Sequence, residues 1–340
     1  MVKDWHTFMG SSRWEESNKE QLAQEQFLEL DVRKKWLTAI ALAGFGFLMF
    51  VVVSLNLWAS QPAVQPEFAA QSEPVPSTIP VSELRYEVYT LPQSIVHTLL
   101  IPIGERFTVV PAVAPSANTI EEFAVEYGAI AAINGGFFDP ENLKSTSYVV
   151  LNGEQVADPR DDELLVSNPQ LIPYLDKIFN RTELRQYRCG QTVRYDMSLH
   201  EQAVPPDCEL LSALGGGPRL LPELTSVQEG FWHVVDGEIR RDPLGIERPN
   251  ARSAVGITRE GNIILAMVAQ QPEAPANSGM TLQELANFLK NLGAEQAMNL
   301  DGGGSASFYF DGEAVYGKLD EAGDRVVRSV KSVLLVRENS

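Results

Sequence analysis

The chain has 340 residues, of which 44% are hydrophobic and 21% are charged, an ordinary balance for one large or two average globular domains. It carries 45 acidic and 27 basic side chains, which gives a net charge of −18 at pH 7. So acidic a chain excludes nucleic acid or an anionic membrane surface as a partner for a broad face, although local arginines could still hold one anionic group.

The N-terminal part of the sequence predicts a membrane anchor. No charged residue occurs over residues 36–66, and the apolar run 37–57 would be about 30 Å long as a helix, which is enough to cross a bilayer. Three basic residues at 33–35 precede this run. The positive-inside rule therefore predicts a cytoplasmic tail over 1–35, a transmembrane helix over 36–58 and an extracytoplasmic remainder. A cleaved signal peptide is the alternative.

A proline-rich stem and a globular domain are predicted after the anchor. Residues 59–81 hold five prolines among Ser, Gln and Ala, a composition typical of an extended spacer. From residue 82 the hydrophobic pattern alternates, and it predicts strands at 84–88, 95–101 and 107–113. Four turn dipeptides predict tight hairpins: Asn152-Gly153, Asp236-Gly237, Glu260-Gly261 and Asp311-Gly312.

Two capped helices complete the predicted fold. Thr119 and Thr281 each stand three residues before a Glu, the signature of a capping box. In both places the helix is followed by Gly, a short strand, and then Asn with glycines. We expect two related units that present Asn and Gly at the same end of a sheet. A further helix is predicted over 171–179. Residues 82–338 are thus predicted to be an α+β domain with a mixed, largely antiparallel sheet and a few packed helices.

Residues 158–210 differ in composition from the flanking sequence and predict an insertion. This segment contains both cysteines of the chain, Cys189 and Cys208. In an oxidising compartment they could form a disulfide that closes a loop of about 20 residues. Two reduced, buried thiols are the alternative, and the spacing matches no metal site.

Glycine and polar side chains are concentrated in four short stretches. They are Asn-Gly-Gly-Phe-Phe-Asp at 134–139, Gly-Gly-Gly-Pro-Arg at 215–219, Arg-Ser-Ala-Val-Gly at 252–256, and Asn-Leu-Asp-Gly-Gly-Gly-Ser at 299–305. Three glycines directly after a carboxylate indicate backbone that must approach a ligand closely. None of the four matches a phosphate loop or a dinucleotide fingerprint, and no histidine has triad or metal spacing.

Several side chains in these stretches could carry chemistry. Asp301 and Asp139 are candidates for acid, base or nucleophile in paired-carboxylate glycoside hydrolysis, although either could instead brace a loop. Arg252 offers a fork for phosphate or carboxylate, with a surface salt bridge as the alternative. Asn134 and Asn299 could bind sugar hydroxyls or satisfy backbone groups at strand ends.

Together, the four stretches resemble the phosphodiester glycosidase family. The resemblance rests on AINGGFFD at 132–139, GGGPRLL at 215–221, ARSAVGI at 251–257 and the long segment 281–307, and it covers residues 82–337. It implies hydrolysis of a sugar-1-phosphodiester between the anomeric carbon and the phosphate oxygen, which leaves a phosphomonoester.

The resemblance also places ten residues in the pocket: Asn134, Gly135, Gly136, Asp139, Arg252, Asn299, Asp301, Gly303, Gly304 and Ser305. We expect the two aspartates to act as acid, base or nucleophile. Arg252 and glycine amides are expected to bind the phosphate, and the asparagines to bind the sugar hydroxyls. Calcium or magnesium near Asp301 would suit the ligand types, but the sequence shows no complete ligand set.

The predicted function is that of a membrane-tethered bacterial hydrolase with its site in the periplasm or at the cell surface. An anchor in place of a signal peptide favours envelope polysaccharides, or their phosphodiester-linked decorations, as substrates. The alternative is a non-catalytic glycan-binding or exopolysaccharide-assembly factor. The sequence leaves the anomeric configuration and the oligomeric state open.

Overall fold

A computed structural model describes residues 83–273 and 277–339. The predicted cytoplasmic tail, transmembrane helix and stem lie outside these residues, so they stay predictions. Within the two described ranges no helix is long and apolar enough to cross a membrane.

Eighteen strands and a few short helices make up the described part of the chain. The strands are β1 (Arg85–Leu91), β2 (Ser94–Ile101), β3 (Phe107–Asn118), β4 (Ala131–Asn134), β5 (Val149–Leu151), β6 (Glu154–Ala157), β7 (Thr182–Cys189), β8 (Thr192–Leu199), β9 (Cys208–Gly215), β10 (Arg219–Leu221), β11 (His233–Val235), β12 (Glu238–Arg241), β13 (Arg252–Thr258), β14 (Ile263–Gln270), β15 (Ala294–Asn299), β16 (Ser307–Phe310), β17 (Glu313–Tyr316) and β18 (Val330–Glu338). The α-helices are α1 (Ile120–Tyr127), α2 (Glu163–Val166), α3 (Leu175–Ile178) and α4 (Leu282–Asn291). Short 3₁₀ turns occur at Pro159–Asp161, Ile172–Tyr174 and Gly303–Ser305.

The strands form three main sheets and one two-stranded ribbon. The first sheet has the order β1-β2-β14-β13-β15-β10, the second β17-β16-β4-β18-β3, and the third β6-β5-β9-β7-β8, while β11 pairs with β12. The ladders within these sheets are antiparallel. The predicted α+β class with largely antiparallel sheet is therefore confirmed.

The four predicted hairpins are present, at β5–β6, β11–β12, β13–β14 and β16–β17. In the first, Asn152 and Gly153 have φ values of 52° and 79°. Two successive residues with positive φ give the turn a twist that matches the right-handed twist of the paired strands. This is why Asn-Gly and Asp-Gly are reliable local signals here.

Both predicted capping boxes are formed. Thr119 accepts a hydrogen bond from Glu122 N and opens α1, and Thr281 accepts one from Glu284 N and opens α4. The two helices pack on different sheets, however, because α1 contacts β4 and α4 contacts β15. The prediction that the two helix–strand units share one sheet is therefore wrong. The helix predicted over 171–179 is divided into a 3₁₀ turn and α3, consistent with Pro173, which lacks a backbone donor.

One hydrophobic core joins the three sheets. Leu265 of the first sheet, Leu334 of the second and Leu214 of the third are each fully buried in the same cluster. Burial of a leucine side chain contributes about 1.5–3 kcal/mol, so a shared core fixes how the sheets meet. The ends of β4, β9 and β15 are thereby held near one another.

The disulfide is confirmed. Cys189 on β7 and Cys208 on β9 face each other in register and are bonded. The segment 158–210, predicted as an insertion, supplies β7 and β8 and thus two of the five strands of the third sheet.

Candidate active site

All four glycine-rich stretches meet where β4, β9 and β15 end and β13 begins. Asn134, the last residue of β4, is fully buried. Its Nδ2 donates to Asp301 O at 2.6 Å, and its Oδ1 accepts from Ser253 Oγ at 2.6 Å and from Ser307 N at 3.1 Å. Asn134 therefore ties together the first, third and fourth stretches. Because these contacts occupy its amide, we assign it to bracing the site.

Asn299 ties the second stretch to the fourth. Its Nδ2 donates to Gly217 O at 3.0 Å and to Leu300 O at 2.7 Å. Its backbone pairs with the same loop, because Gly217 N donates to Asn299 O at 2.8 Å. Its Oδ1 is buried and has no hydrogen-bond partner among the residues described. That oxygen is the one acceptor that Asn299 still offers.

The glycines of the first stretch allow very close backbone approach. Gly135 N donates to Ser332 O at 2.7 Å, and Gly135 O accepts from Asp301 N at 3.0 Å. A Cβ on Gly136 would overlap Gly215 O and would lie 2.7 Å from Ser147 Cβ. No side chain fits there, so the glycine is required by packing. In the fourth stretch, Gly303 has φ +58° and donates to Ala251 O at 2.8 Å.

Asp301 is the carboxyl at the centre of this junction. It is half-buried, and its Oδ1 accepts from Gly302 N at 3.0 Å. Burial raises the pKa of Asp301 to about 6, an effect partly offset by Ser305, the Arg328 charge and the Gly302 amide. The Ser305 hydroxyl is buried and makes no hydrogen bond of normal geometry in the described residues, yet it lies close enough to lower that pKa. A carboxyl with a pKa near 6 is suited to proton transfer near neutral pH.

Arg328 lies beside Asp301 and was not predicted from the sequence. Its guanidinium is 5.2 Å from the ring centroid of Phe138, and its Nη1 would be 3.6 Å from a Cβ on Gly304. Its charge lowers the pKa of Asp301. Among the described residues it forms no ion pair within 4.0 Å and no hydrogen bond. Its donors are thus available to an anionic ligand. No sequence motif marks Arg328, which lies two residues before β18, the strand that pairs with β4.

The Arg252 guanidinium is used in hydrogen bonds to the protein backbone. The side chain is 2% exposed and donates four hydrogen bonds of 2.7–3.0 Å to backbone carbonyls. These carbonyls belong to Leu244, Gly245, Arg248 and Met280. Burial lowers the pKa of Arg252 to about 10, with a smaller opposing effect from Asp242. Four of its five N–H groups are used, so it lacks the open fork that the predicted phosphate contact needs.

Asp139 closes a turn of its own. Its Oδ1 accepts from Glu141 N at 2.7 Å, and its backbone bonds to Lys144 and Leu143. It also lines a cavity of about 430 Å³ together with Phe138. In the described ranges no hydrogen bond joins Asp139 to Asp301. The two predicted catalytic carboxylates therefore have different hydrogen-bond partners, Glu141 N for Asp139 and Gly302 N for Asp301.

Comparison with known proteins assigns the chain to a family. The sequence pattern of the phosphodiester glycosidase family matches residues 127–337. The chain belongs to the phosphodiester glycosidase family. This confirms the family predicted from the four stretches, and the matched range falls within the domain predicted over 82–338.

Phosphodiester glycosidases with an assigned activity are among its relatives. The chain is 28% identical over 236 residues to the cattle N-acetylglucosamine-1-phosphodiester alpha-N-acetylglucosaminidase, covering 65% of this chain and 39% of that protein. It is 40% identical over 92 residues to the mouse enzyme of the same name, covering 26% and 17% of the two chains. The chain thus spans less than half the length of these relatives.

The fold is also shared with a solved phosphodiester glycosidase. The catalytic domain of the zebrafish N-acetylglucosamine-1-phosphodiester alpha-N-acetylglucosaminidase superposes with a TM-score of 0.55 at 20% identity. The superposition covers 76% of this chain and 83% of that one. At this identity the comparison shows a common fold and leaves the substrate open.

In this member of the phosphodiester glycosidase family, a buried glutamate that no motif marks supports the second stretch. The Glu229 carboxylate accepts hydrogen bonds from Thr182 N at 2.9 Å, Thr182 Oγ1 at 2.8 Å, Arg219 N at 2.9 Å and the Thr225 hydroxyl. It joins the loop after Gly217 to β7. The sequence gives no sign of this role, because Glu229 lies outside the glycine-rich stretches.

The structure identifies no ligand set for the calcium or magnesium ion considered from the sequence. Within residues 83–273 and 277–339, no three His, Cys, Asp or Glu side chains are grouped so that they could hold a metal ion. The polar groups at the junction are instead the Asp301 carboxyl, the Ser305 hydroxyl and the Arg328 guanidinium.

Proposed function

We propose that this protein hydrolyses a sugar-1-phosphodiester at the bond between the anomeric carbon and the phosphate oxygen. The observation that best supports this reaction is the pairing of two groups. Asp301 has a pKa of about 6, and beside it lies Arg328, which has no ion-pair partner in the described residues. Family membership supports the reaction class. The predicted anchor supports an extracytoplasmic site and envelope glycans as substrates.

The chemistry of the leaving group sets the role of Asp301. When the C–O bond breaks, the phosphate leaves as a phosphomonoester whose second pKa is about 6, so it needs little protonation at neutral pH. Water must supply the new oxygen at the anomeric carbon and must lose one proton. Ionised Asp301 accepts that proton as a general base. The products are the free sugar and the phosphomonoester, and activity should rise as the pH passes about 6.

Arg328 places a positive charge where negative charge develops on the departing phosphate. The departing phosphate gains a second negative charge as the bond breaks, and a guanidinium can donate two parallel hydrogen bonds to its oxygens. Arg252 and Asn134 then act indirectly, since their contacts hold the loops that carry Asp301. Asp139 stays a predicted second carboxylate at the neighbouring cavity.

The first test is product analysis with the full-length protein. Alpha- and beta-linked sugar-1-phosphodiesters are incubated with the wild type and Asp301→Ala, with and without a chelator, and sugar and phosphomonoester are measured together. We expect equimolar release by the wild type and little by the variant. If the folded wild type binds glycans and releases neither product from any substrate, the glycan-binding alternative is correct.

Arg328→Met is expected to lower kcat/KM by about 10²–10³-fold, because the variant keeps an apolar contact with Phe138 but loses the charge and the donors. The matched control is Arg337→Met, which removes an exposed arginine on β18. Steady-state kinetics on the best phosphodiester substrate compare the two variants. Equal activity of Arg328→Met and the wild type would remove Arg328 from the phosphate site.

A further inference from the structure

The cavity of about 430 Å³ that Asp139 lines adjoins the proposed active site. Its lining includes Phe137, Phe138 and Asp139 of the first glycine-rich stretch and two arginines, Arg181 and Arg241. We name it the arginine cavity. Its volume lies within the range of about 300–1,000 Å³ that small-molecule sites occupy.

Arg181 is held in place by aromatic rings. Its guanidinium lies 3.8 Å from the ring centroid of Phe231 and 5.8 Å from that of Phe137. Its Nε donates to the backbone oxygen of Glu229 at 3.3 Å. The Nη atoms have no hydrogen-bond partner in the described part of the chain. Arg181 is thus held by its Nε hydrogen bond and by the rings that pack against its guanidinium, while its Nη donors stay unused in the described residues.

Arg241 is held in the same way. Its Nε donates to Gly230 O at 2.6 Å, and its guanidinium lies 5.0 Å from the ring centroid of Tyr174. Its Nη atoms are also without a protein acceptor in the described ranges. Two adjacent arginines with fixed planes and unused Nη donors make a fork suited to an oxyanion.

The two positive charges disfavour each other in this cavity. Burial, and after it the charge of Arg241, lowers the pKa of Arg181 to about 9, while Glu229 opposes the change. Burial also lowers the pKa of Arg241. Neither arginine forms an ion pair within 4.0 Å in the described residues, although three acidic residues, Asp139, Glu141 and Asp162, line the same cavity. A bound anion would supply the missing countercharge.

Asp162 adds an acceptor to the arginine cavity. The residue is fully buried, and its Oδ1 accepts from Asn142 Nδ2 at 2.6 Å and from Leu164 N at 3.1 Å. Its Oδ2 is buried and has no partner among the described residues. A carboxylate oxygen left unpaired in a buried position is costly, and a ligand hydroxyl would satisfy it.

We propose that the arginine cavity is a subsite for an acidic sugar unit, one that carries a carboxylate or a phosphate. The Arg181 and Arg241 guanidinium groups would bind the anionic group, Asp162 would accept from a ring hydroxyl, and Phe137 would cover an apolar edge of the sugar ring. Phe138 links this subsite to the active site, because its ring also contacts Arg328. The inference rests on the proposed function and deepens it, since it names an acidic unit next to the cleaved phosphodiester.

The test is calorimetric binding of single sugars to the full-length protein. Glucuronate and glucose 6-phosphate are titrated at low salt against glucose as the neutral reference. We expect at least one acidic sugar to bind ten-fold or more tighter than glucose, with glucuronate and glucose 6-phosphate distinguishing carboxylate from phosphate. Arg241→Gln and Arg181→Gln should each weaken that binding about 10–100-fold, because each removes charged hydrogen bonds.

Two control variants make the outcome specific. Arg259→Gln removes a charge that is 81% exposed and should change nothing. Asp301→Asn should retain acidic-sugar binding while it loses turnover, so the failure of catalysis and the failure of this subsite are distinguishable. If Arg181→Gln does not fold, Arg241→Gln decides. Equal affinity for glucose and both acidic sugars, or wild-type binding by a folded Arg241→Gln protein, would overturn the proposal.

Discussion

Replacing Asp301 with Asn is expected to lower kcat/KM by about 10²–10⁴-fold at pH 8, the range typical of a lost general base. The substitution keeps the size of the side chain and an oxygen that can accept from Gly302 N, so it removes chiefly the ionisable proton site. Asp311→Asn is the matched control. Asp311 is exposed in a hairpin turn with φ 50°, a conformation that Asn tolerates well. Equal losses in both variants would show that the effect is not specific to the site.

The same Asp301→Asn substitution is expected to stabilise the protein above neutral pH. Burial raises the native pKa of Asp301 from 3.8 to about 6, so the native state binds this proton more tightly than the unfolded chain does. Stability is therefore lost as the pH rises from about 4 through about 6, and the loss is complete above about 7. Asn does not ionise and escapes this loss.

The gain in free energy of unfolding follows from the shift in the pKa of Asp301. The full difference would be at most about 3 kcal/mol, and partial exposure of Asp301 reduces it. Urea denaturation at pH 8 and pH 4 measures it, with the variant more stable at pH 8 and the difference absent at pH 4. A variant less stable than the wild type at pH 8 would mean that Arg328 and the Gly302 amide outweigh burial. A residue that costs stability while it supplies chemistry is expected at an active site.

Local rules predicted the elements of this fold well. The hairpins at Asn152 and Asp311 depend on two residues with positive φ, and the helices opened by Thr119 and Thr281 depend on a side chain three residues from its partner. Such features are decided by neighbours in sequence. The sheet that each element joins is not decided this way, and the two helix–strand units lie on different sheets.

The sequence predicted which residues belong to the candidate site better than it predicted what each of them does there. Polar residue types alone cannot show whether a side chain faces a ligand or the backbone. Arg252 and Asn134 were assigned to substrate, yet the structure commits them to carbonyls and loop contacts. Arg328 lies two residues before β18, and β18 pairs with β4 through residues about 200 positions apart along the chain. Long-range pairing of this kind has no local sequence signal.

Gly136→Ala is expected to destabilise the protein by about 2–4 kcal/mol, near the upper end for an added methyl group in a packed site. The new Cβ would overlap Gly215 O and would lie 2.7 Å from Ser147 Cβ. One of these neighbours is backbone of the second glycine-rich stretch, so neither a rotamer change nor a side-chain shift can relieve the overlap. The first and second stretches would be forced apart where they approach the Asp301 loop.

Gly304→Ala is the matched control for Gly136→Ala, because neither glycine has a positive φ in the left-handed region and both belong to the candidate site. Its Cβ would lie 3.5 Å from Arg328 Cδ, an ordinary contact with a flexible side chain, so we expect a loss below about 1 kcal/mol. Urea denaturation of the two variants at one pH gives the difference. If both lose the same stability, the cost arises from backbone freedom in general. A large loss in Gly136→Ala alone would show that close approach of the first two stretches is what builds the site.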